Sequence, residues 1–201
     1  MDEFLRLEYE SCMDLLKYYD ERNVSLMKFT TGVSSAVVSI VFGFYALGTN
    51  ANQYFWHFAS VLTGIVGLGL IAIVVALVQN RLYFVYPARQ INAIRNTMLS
   101  TVEDCFSSNQ MYTTTDVRAF KFLSLHALMN LLVTLQVGLF WGFCFFSIAH
   151  DEKNITGSVI EAVIVALMVA LVSFTSSGIY LALKGQLHPN NSIHGVKEMK
   201  T

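Results

Sequence analysis

FTTGVSSAVVSIVFGFYALGTNANQYFWHFASVLTGIVGLGLIAIVVALVQN, residues 29–80, holds no Asp, Glu, Lys or Arg in 52 positions. No soluble surface is solvated by such a run. A bilayer core about 30 Å thick is crossed by roughly 20 apolar helical residues, so this stretch is too long for one crossing and long enough for two. Its polar divider is Gly48-Thr49-Asn50-Ala51-Asn52-Gln53. The reading is therefore two spans, 29–47 and 55–78, joined by a short turn. Working outward, residues 122–150 form a second uncharged run of 29, and residues 154–183 contain one ionised side chain, Glu161. These predict a third span over 122–148 and a fourth within 155–183, with a turn at 149–154.

The composition agrees. Of 201 residues, 54% are hydrophobic and 13% charged, against about 25% charged in a typical soluble domain. Mean hydropathy is +0.51. An ordinary soluble enzyme is excluded. A net charge of −1 with no basic run argues against nucleic acid as a partner. Cys12, Cys105 and Cys144 are scattered and odd in number, which fits neither a disulfide framework nor a zinc knuckle. The acidic start, Met-Asp-Glu-Phe-Leu-Arg-Leu-Glu, does not read as a cleavable signal.

Lys and Arg set the expected orientation, because they accumulate on the cytoplasmic side. With four spans, Arg6, Lys17, Arg22, Lys28, Arg81, Arg89, Arg95, Arg118, Lys121, Lys184, Lys197 and Lys200 share one side, and Lys153 stands on the other. Both termini are therefore expected in the cytoplasm, and the lipid bilayer is the first expected partner. The chain divides into a cytoplasmic amphipathic helix (1–28), a transmembrane hairpin (29–78), a cytoplasmic linker with a helix (79–121), a second hairpin (122–183) and a tail (184–201). The fold class is an all-α integral membrane protein with four transmembrane helices in two hairpins.

Two segments outside the spans read as helical. In residues 2–28, Leu5, Tyr9, Cys12, Leu16, Tyr19 and Leu26 recur at helical spacing, with Glu3, Glu10, Asp14, Lys17 and Glu21 mostly opposite. No Gly or Pro interrupts before Gly32, so this helix is expected to run into the first span. Its seven acids and four bases disfavour lying on an anionic leaflet and favour packing on residues 88–106 or on another subunit. That second segment starts after Pro87, where helices begin or kink, and presents Ile91, Ile94, Met98, Val102 and Cys105 on one face. Ser107-Ser108-Asn109-Gln110 is expected to end it, and Thr113-Thr114-Thr115-Asp116 to start the third span.

Candidate functional residues are the polar groups within the spans. Glu161, one or two turns from the outer turn, either reaches the headgroups or faces a cavity. His57 enters its span at the same level, so the two are a possible pair. The third span carries a row at spacing four, His126, Asn130, Thr134, Gly138 and Gly142, with Gln136 beside it. Such a row makes a contact ridge or, with its polar members, a hydrated path. Small-residue rows recur at Ser35, Ser39 and Gly43, at Ser60 and Gly64, and at Ala162, Ala166 and Ala170. Lipid is as apolar as Leu, so close packing must hold spans together. Rows on every span point to a homo-oligomer. Glu10, Asp14, Lys17, Glu21, Arg89 and Arg95 form the candidate surface for a cytoplasmic partner or trigger.

No catalytic motif is present, and His188 and His194 lack a third metal ligand. The expectation is a non-enzyme with no cofactor and no metal. Asn154-Ile155-Thr156, Asn23-Val24-Ser25 and Asn190-Asn191-Ser192 match the glycosylation pattern by chance.

The polar helix from Tyr9-Glu10-Ser11-Cys12 onward, the hairpin at 29–78 and Tyr86-Pro87-Ala88-Arg89-Gln90-Ile91-Asn92-Ala93-Ile94-Arg95 together resemble the SLATT-type two-span membrane effectors of bacterial anti-phage systems. The resemblance covers residues 2–106, and the second hairpin departs from it. It implies oligomerisation in the bacterial inner membrane, pore formation and depolarisation on a cytoplasmic signal. Three functions are thus expected in order: a pore-forming or membrane-disrupting effector, a membrane scaffold recruiting a cytoplasmic partner, and a small transporter.

Overall fold

The computed structural model describes residues 3–46, 52–101, 114, 117–150 and 153–186. Four helices are found: α1 Glu3–Ala46, α2 Asn52–Thr101, α3 Leu125–Ala149 and α4 Ile155–Lys184. No strand occurs among the described residues. All four helices are long and apolar enough to cross a membrane. Most of the turn at 48–53, Val102, Cys105, the run 107–110 and the histidines of the tail lie outside the described residues.

The first helix is continuous over 44 residues, about 66 Å at 1.5 Å per residue. The uninterrupted helix-forming sequence before Gly32 accounts for this. The second helix is also continuous, over 50 residues, with Pro87 inside it. Here the structure corrects the sequence reading, in which a separate helix begins after Pro87. A proline in a helix interior removes one hydrogen bond and costs about 3 kcal/mol or more. Tertiary contacts flank the proline within the continuous helix. Arg81 Nε donates to the Ala119 carbonyl at 2.9 Å, Arg89 Nη2 to the Val117 carbonyl at 2.8 Å, and Asn92 Nδ2 to the Thr114 carbonyl at 2.8 Å. The helix is thereby pinned on both sides of the proline.

Those same bonds explain a second difference. The third helix does not start near Thr113. The carbonyls of residues 117–119 accept from arginines of α2, so they are engaged outside any helix. α3 begins at Leu125, capped by Ser124, whose hydroxyl accepts from the Ala127 N–H at 3.2 Å. Asn154 caps α4 in the same way, accepting from the Gly157 N–H at 3.2 Å. That role accounts for Asn154, which the sequence showed only as a glycosylation match.

Neighbouring helices run antiparallel. Between α1 and α2, Tyr19 stacks on Tyr83 and Phe44 packs on Phe58. Between α2 and α3, Phe84 meets His126 while Trp56 meets Phe146 and His150. Two ends can be named from this. The turn end carries Ala46, Trp56, His150 and Ile155. The stalk end carries residues 3–28 of α1 and 81–101 of α2, the parts of these helices that lie toward the starts of α1 and α3 and the ends of α2 and α4. In the stalk, Tyr9, Cys12, Leu16, Tyr19 and Leu26 are buried or half-buried, and Arg95 donates to the Tyr9 hydroxyl at 3.0 Å. The apolar face of residues 2–28 therefore packs on the C-terminal part of α2.

The helices α2 and α3 are central, α1 and α4 peripheral, and α1 does not touch α4. Within the most apolar window of each helix, 44% of α3 is buried inside the chain but only 17% of α1 and of α4. The outer faces of α1 and α4 are large and apolar, for example Phe42, Ile160, Ile164 and Leu167.

Candidate functional site

The sequence picked out the row His126, Asn130, Thr134, Gly138, Gly142, and the fold divides it in two. The glycine half meets α4. A Cβ on Gly142 would lie 2.7 Å from Ala166 Cβ and 2.8 Å from the Ala162 carbonyl oxygen; one on Gly138 would strike the Ala166 carbonyl and lie 2.9 Å from Ala170 Cβ. Only glycine admits this approach. The rows Gly138/Gly142 and Ala162/Ala166/Ala170 thus mate with each other, the close contact that small residues permit between spans. Ser60 and Gly64 of α2 pack on α3 as well: Cys144 Sγ donates to the Ser60 carbonyl at 3.3 Å and lies against Gly64.

The polar half of the row meets α1 and α2. Asn23 and Asn80 are both buried, and Asn80 Nδ2 donates to Asn23 Oδ1 at 3.0 Å. Asn130 is buried beside them, and His126 is half-buried. Asn23 Nδ2, His126 Nε2 and both polar atoms of Asn130 have no hydrogen-bond partner among the described residues. Asn23, Arg81, Ser124, His126 and Asn130 line one small cavity of about 20 Å³. A single water needs roughly 10–15 Å³ on such a measure, so the cavity fits one. Each buried unpaired group costs about 1–3 kcal/mol. A cluster of such groups in one place is the least economical part of the core, and it sits where stalk and bundle join.

Sequence reasoning missed Asn23, Asn80 and Arg81. Asn23 carried a signal: it continues the spacing Tyr19, Leu26, Thr30, and so occupies a core position with an amide. Thr134 is fully buried but satisfied locally, donating to the Leu131 carbonyl at 2.9 Å.

Gln136 belongs to a second feature. Its Oε1 accepts from Ser34 Oγ at 3.3 Å, the bridge between α1 and α3. On the turn side of that bridge the two helices part around a crevice of about 840 Å³, with α2 behind it. Val37, Val41, Phe42 and Tyr45 form one wall, Leu139, Phe140 and Phe143 the other. Between the asparagine cavity and Gln136 the core is filled by Val133, which has no exposed surface. His126, Asn130 and Gln136 do not line one conduit: a polar path through a single chain is interrupted at Val133.

The remaining candidates face outward. Glu161 is exposed on α4 and His57 on α2, and no hydrogen bond or ion pair joins them. His150, next to the turn, is the histidine that packs, with its ring 4.2 Å from Trp56. Ser35, Ser39 and Gly43 are exposed on α1, and nothing lies within 4 Å of a Cβ placed on Gly43. This small-residue row is unused within the chain, because α1 packs through Thr30, Val37 and Val41 instead.

On the stalk, Glu10, Asp14, Lys17 and Glu21 are exposed. Arg6–Glu10 at 3.5 Å and Lys17–Asp14 at 3.8 Å are surface pairs within one helix. Arg89 and Arg95 are half-buried and make contacts within the chain. Arg89 ties Val117 and Gly185 to α2, and Arg95 lies over the Tyr9 ring. No cluster of three or more metal-ligating side chains occurs among the described residues. Comparison with known protein families, with curated proteins and with solved structures gives no match to this chain.

Proposed function

We propose that this chain is an integral protein of a bacterial inner membrane, with both termini and the stalk in the cytoplasm. In this reading it works as a homo-oligomeric effector that raises membrane permeability when its stalk receives a signal. The kinship is with the membrane effectors that residues 2–106 resemble. The observation that carries the proposal is the continuity of α1 and α2. Each runs without a break from a membrane-length apolar segment into the stalk, so a turn or splay at the stalk is passed to the spans by a rigid helix. The asparagine cavity at the junction supplies a weakly held layer about which the helices can shift. Because the core of one chain is apolar at Val133, the permeation path lies between copies. Ser35, Ser39 and Gly43 are the exposed small surface for copy-to-copy packing, and Glu161 is the carboxylate within the fourth span that has no partner among the described residues, the kind of residue that marks ion pathways.

The test is inducible expression with a potential-sensitive dye. Collapse of the potential is expected, with recovery in Glu161→Gln at equal membrane abundance. Loss of the oligomer in Gly43→Ile, measured by mass in mild detergent, is expected to accompany recovery. An unchanged potential with abundant oligomer in the membrane rejects the permeability reading.

A second reading, a scaffold that recruits a cytoplasmic partner, draws support from the exposed acidic face of the stalk, Glu10, Asp14 and Glu21. It expects function to survive exchange of the spans and to fail on charge reversal of that face. The effector reading expects function to be lost on exchange of the spans.

A further inference from the structure

Beside the stalk, α2, Leu16 of α1, Thr114 and residues 117–121 border a crevice of about 670 Å³, whose side chains include Arg81, Arg95, Arg118, Lys121, Phe84 and Asn92. Four of its side chains are cationic, and no carboxylate occurs among the described lining residues. The hydrogen-bond partners of the two half-buried arginines are neutral. Arg81 donates to the Ala119 and Arg118 carbonyls. Arg95 donates to the Tyr9 hydroxyl and lies over its ring. These contacts hold the guanidinium groups in place without cancelling their charge. Arg118 and Lys121 are exposed at the rim.

Like charges gathered around one concavity repel one another, and an anion placed among them replaces that repulsion with charge-assisted hydrogen bonds. Arginine is the side chain best matched to phosphate, through its planar fork of donors. A volume of 670 Å³ falls within the roughly 300–1,000 Å³ of small-molecule sites, so more than a bare phosphate is accommodated, and Phe84 offers an apolar wall to the remainder.

We propose that this crevice binds a phosphate-bearing ligand, either the headgroup of an anionic lipid or a soluble phosphate ester. The inference stands on the crevice and its charges and does not need the permeability reading.

The test uses the full chain in nanodiscs. In phosphatidylcholine discs, inorganic pyrophosphate is titrated by calorimetry. In discs of phosphatidylcholine with phosphatidylglycerol, the phosphatidylglycerol retained per chain is measured after transfer to detergent. Arg118→Glu with Lys121→Glu is expected to weaken binding by about ten-fold or more; the paired Gln substitutions serve if the reversal fails to fold. Arg22→Glu with Lys28→Glu removes two exposed cations outside the crevice and is expected to change nothing. Pyrophosphate binding that follows this pattern assigns a soluble ester, phosphatidylglycerol retention that follows it assigns a headgroup, and both together support the shared phosphate chemistry. The proposal is overturned if neither ligand is held, if the crevice variants bind normally, or if the control pair weakens binding as much.

Discussion

The two flanks of α3 are built differently. Toward α4 it presents glycine, and the backbones close until a Cβ has no room. Toward α1, on the turn side of the Ser34–Gln136 bridge, bulky side chains leave a crevice of about 840 Å³. The difference teaches which contact is fixed and which can change. A glycine–alanine contact is close-packed and fails by collision. A contact made through one hydrogen bond and a gap tolerates displacement. In the proposed function the α3–α4 pair is accordingly the rigid unit, and α1 is the helix that moves when the stalk is turned.

The largest effect should come from breaking the tight flank. Gly138→Leu forces the Ala166 carbonyl away, and overpacking of this kind costs roughly 1–3 kcal/mol, occasionally more. The expected outcome is a lower unfolding midpoint in detergent, or failure to accumulate. Next is the layer between the flanks. Asn130→Leu removes two unpaired polar atoms from the core at similar volume. It should stabilise the chain by about 1 kcal/mol or more, read as a raised midpoint, while stiffening the junction and weakening signal-dependent depolarisation. A smaller effect is expected in the crevice. Val38→Trp adds bulk where space is free and should leave stability within about 0.5 kcal/mol. A loss as large as that of Gly138→Leu would show that α1 closes on α3.

The smallest effect sharpens the account of the stalk. Cys12 is buried, and desolvation, followed by the adjacent Glu8 carboxylate, pushes its thiol up. A raised pKa leaves less thiolate at a given pH. Alkylation of Cys12 should therefore climb only above the pH range at which a free cysteine reacts, and urea should restore the ordinary profile. An ordinary profile in the folded chain would mean that the stalk helices are not packed together.

Much of this was legible in the residues. The uncharged runs at 29–80 and 122–150, with the stretch 154–183 that carries one charge, predicted four membrane-length helices, and four were found. The absence of Gly and Pro before Gly32 predicted that α1 would not break. The spacing of Leu5 to Leu26 identified the face that α1 turns toward α2. Other features were not legible. Pro87 read as a helix start, since nothing in its neighbours announces that carbonyls some 30 residues away will pin the helix on both sides. Arg89 and Arg95 read as surface charges, since whether an arginine meets solvent or a distant carbonyl is not a local property. Asn130 was found but the amides near it were not, because Asn23 and Asn80 lie on helices whose register pattern alone does not fix.

The sequence by itself determined how many apolar helices there are, how long they run and which rows of small or polar residues each carries, because these follow from composition and from the 3.6-residue period. Only the tertiary structure decided which row meets which. Gly138 and Gly142 took the alanines of α4, the amides of α1 and α3 were gathered at one cavity with Asn80 of α2 bonded to the first of them, and Ser35, Ser39 and Gly43 were left exposed. Pairing depends on the shapes of two surfaces at once, and no single helix contains that information.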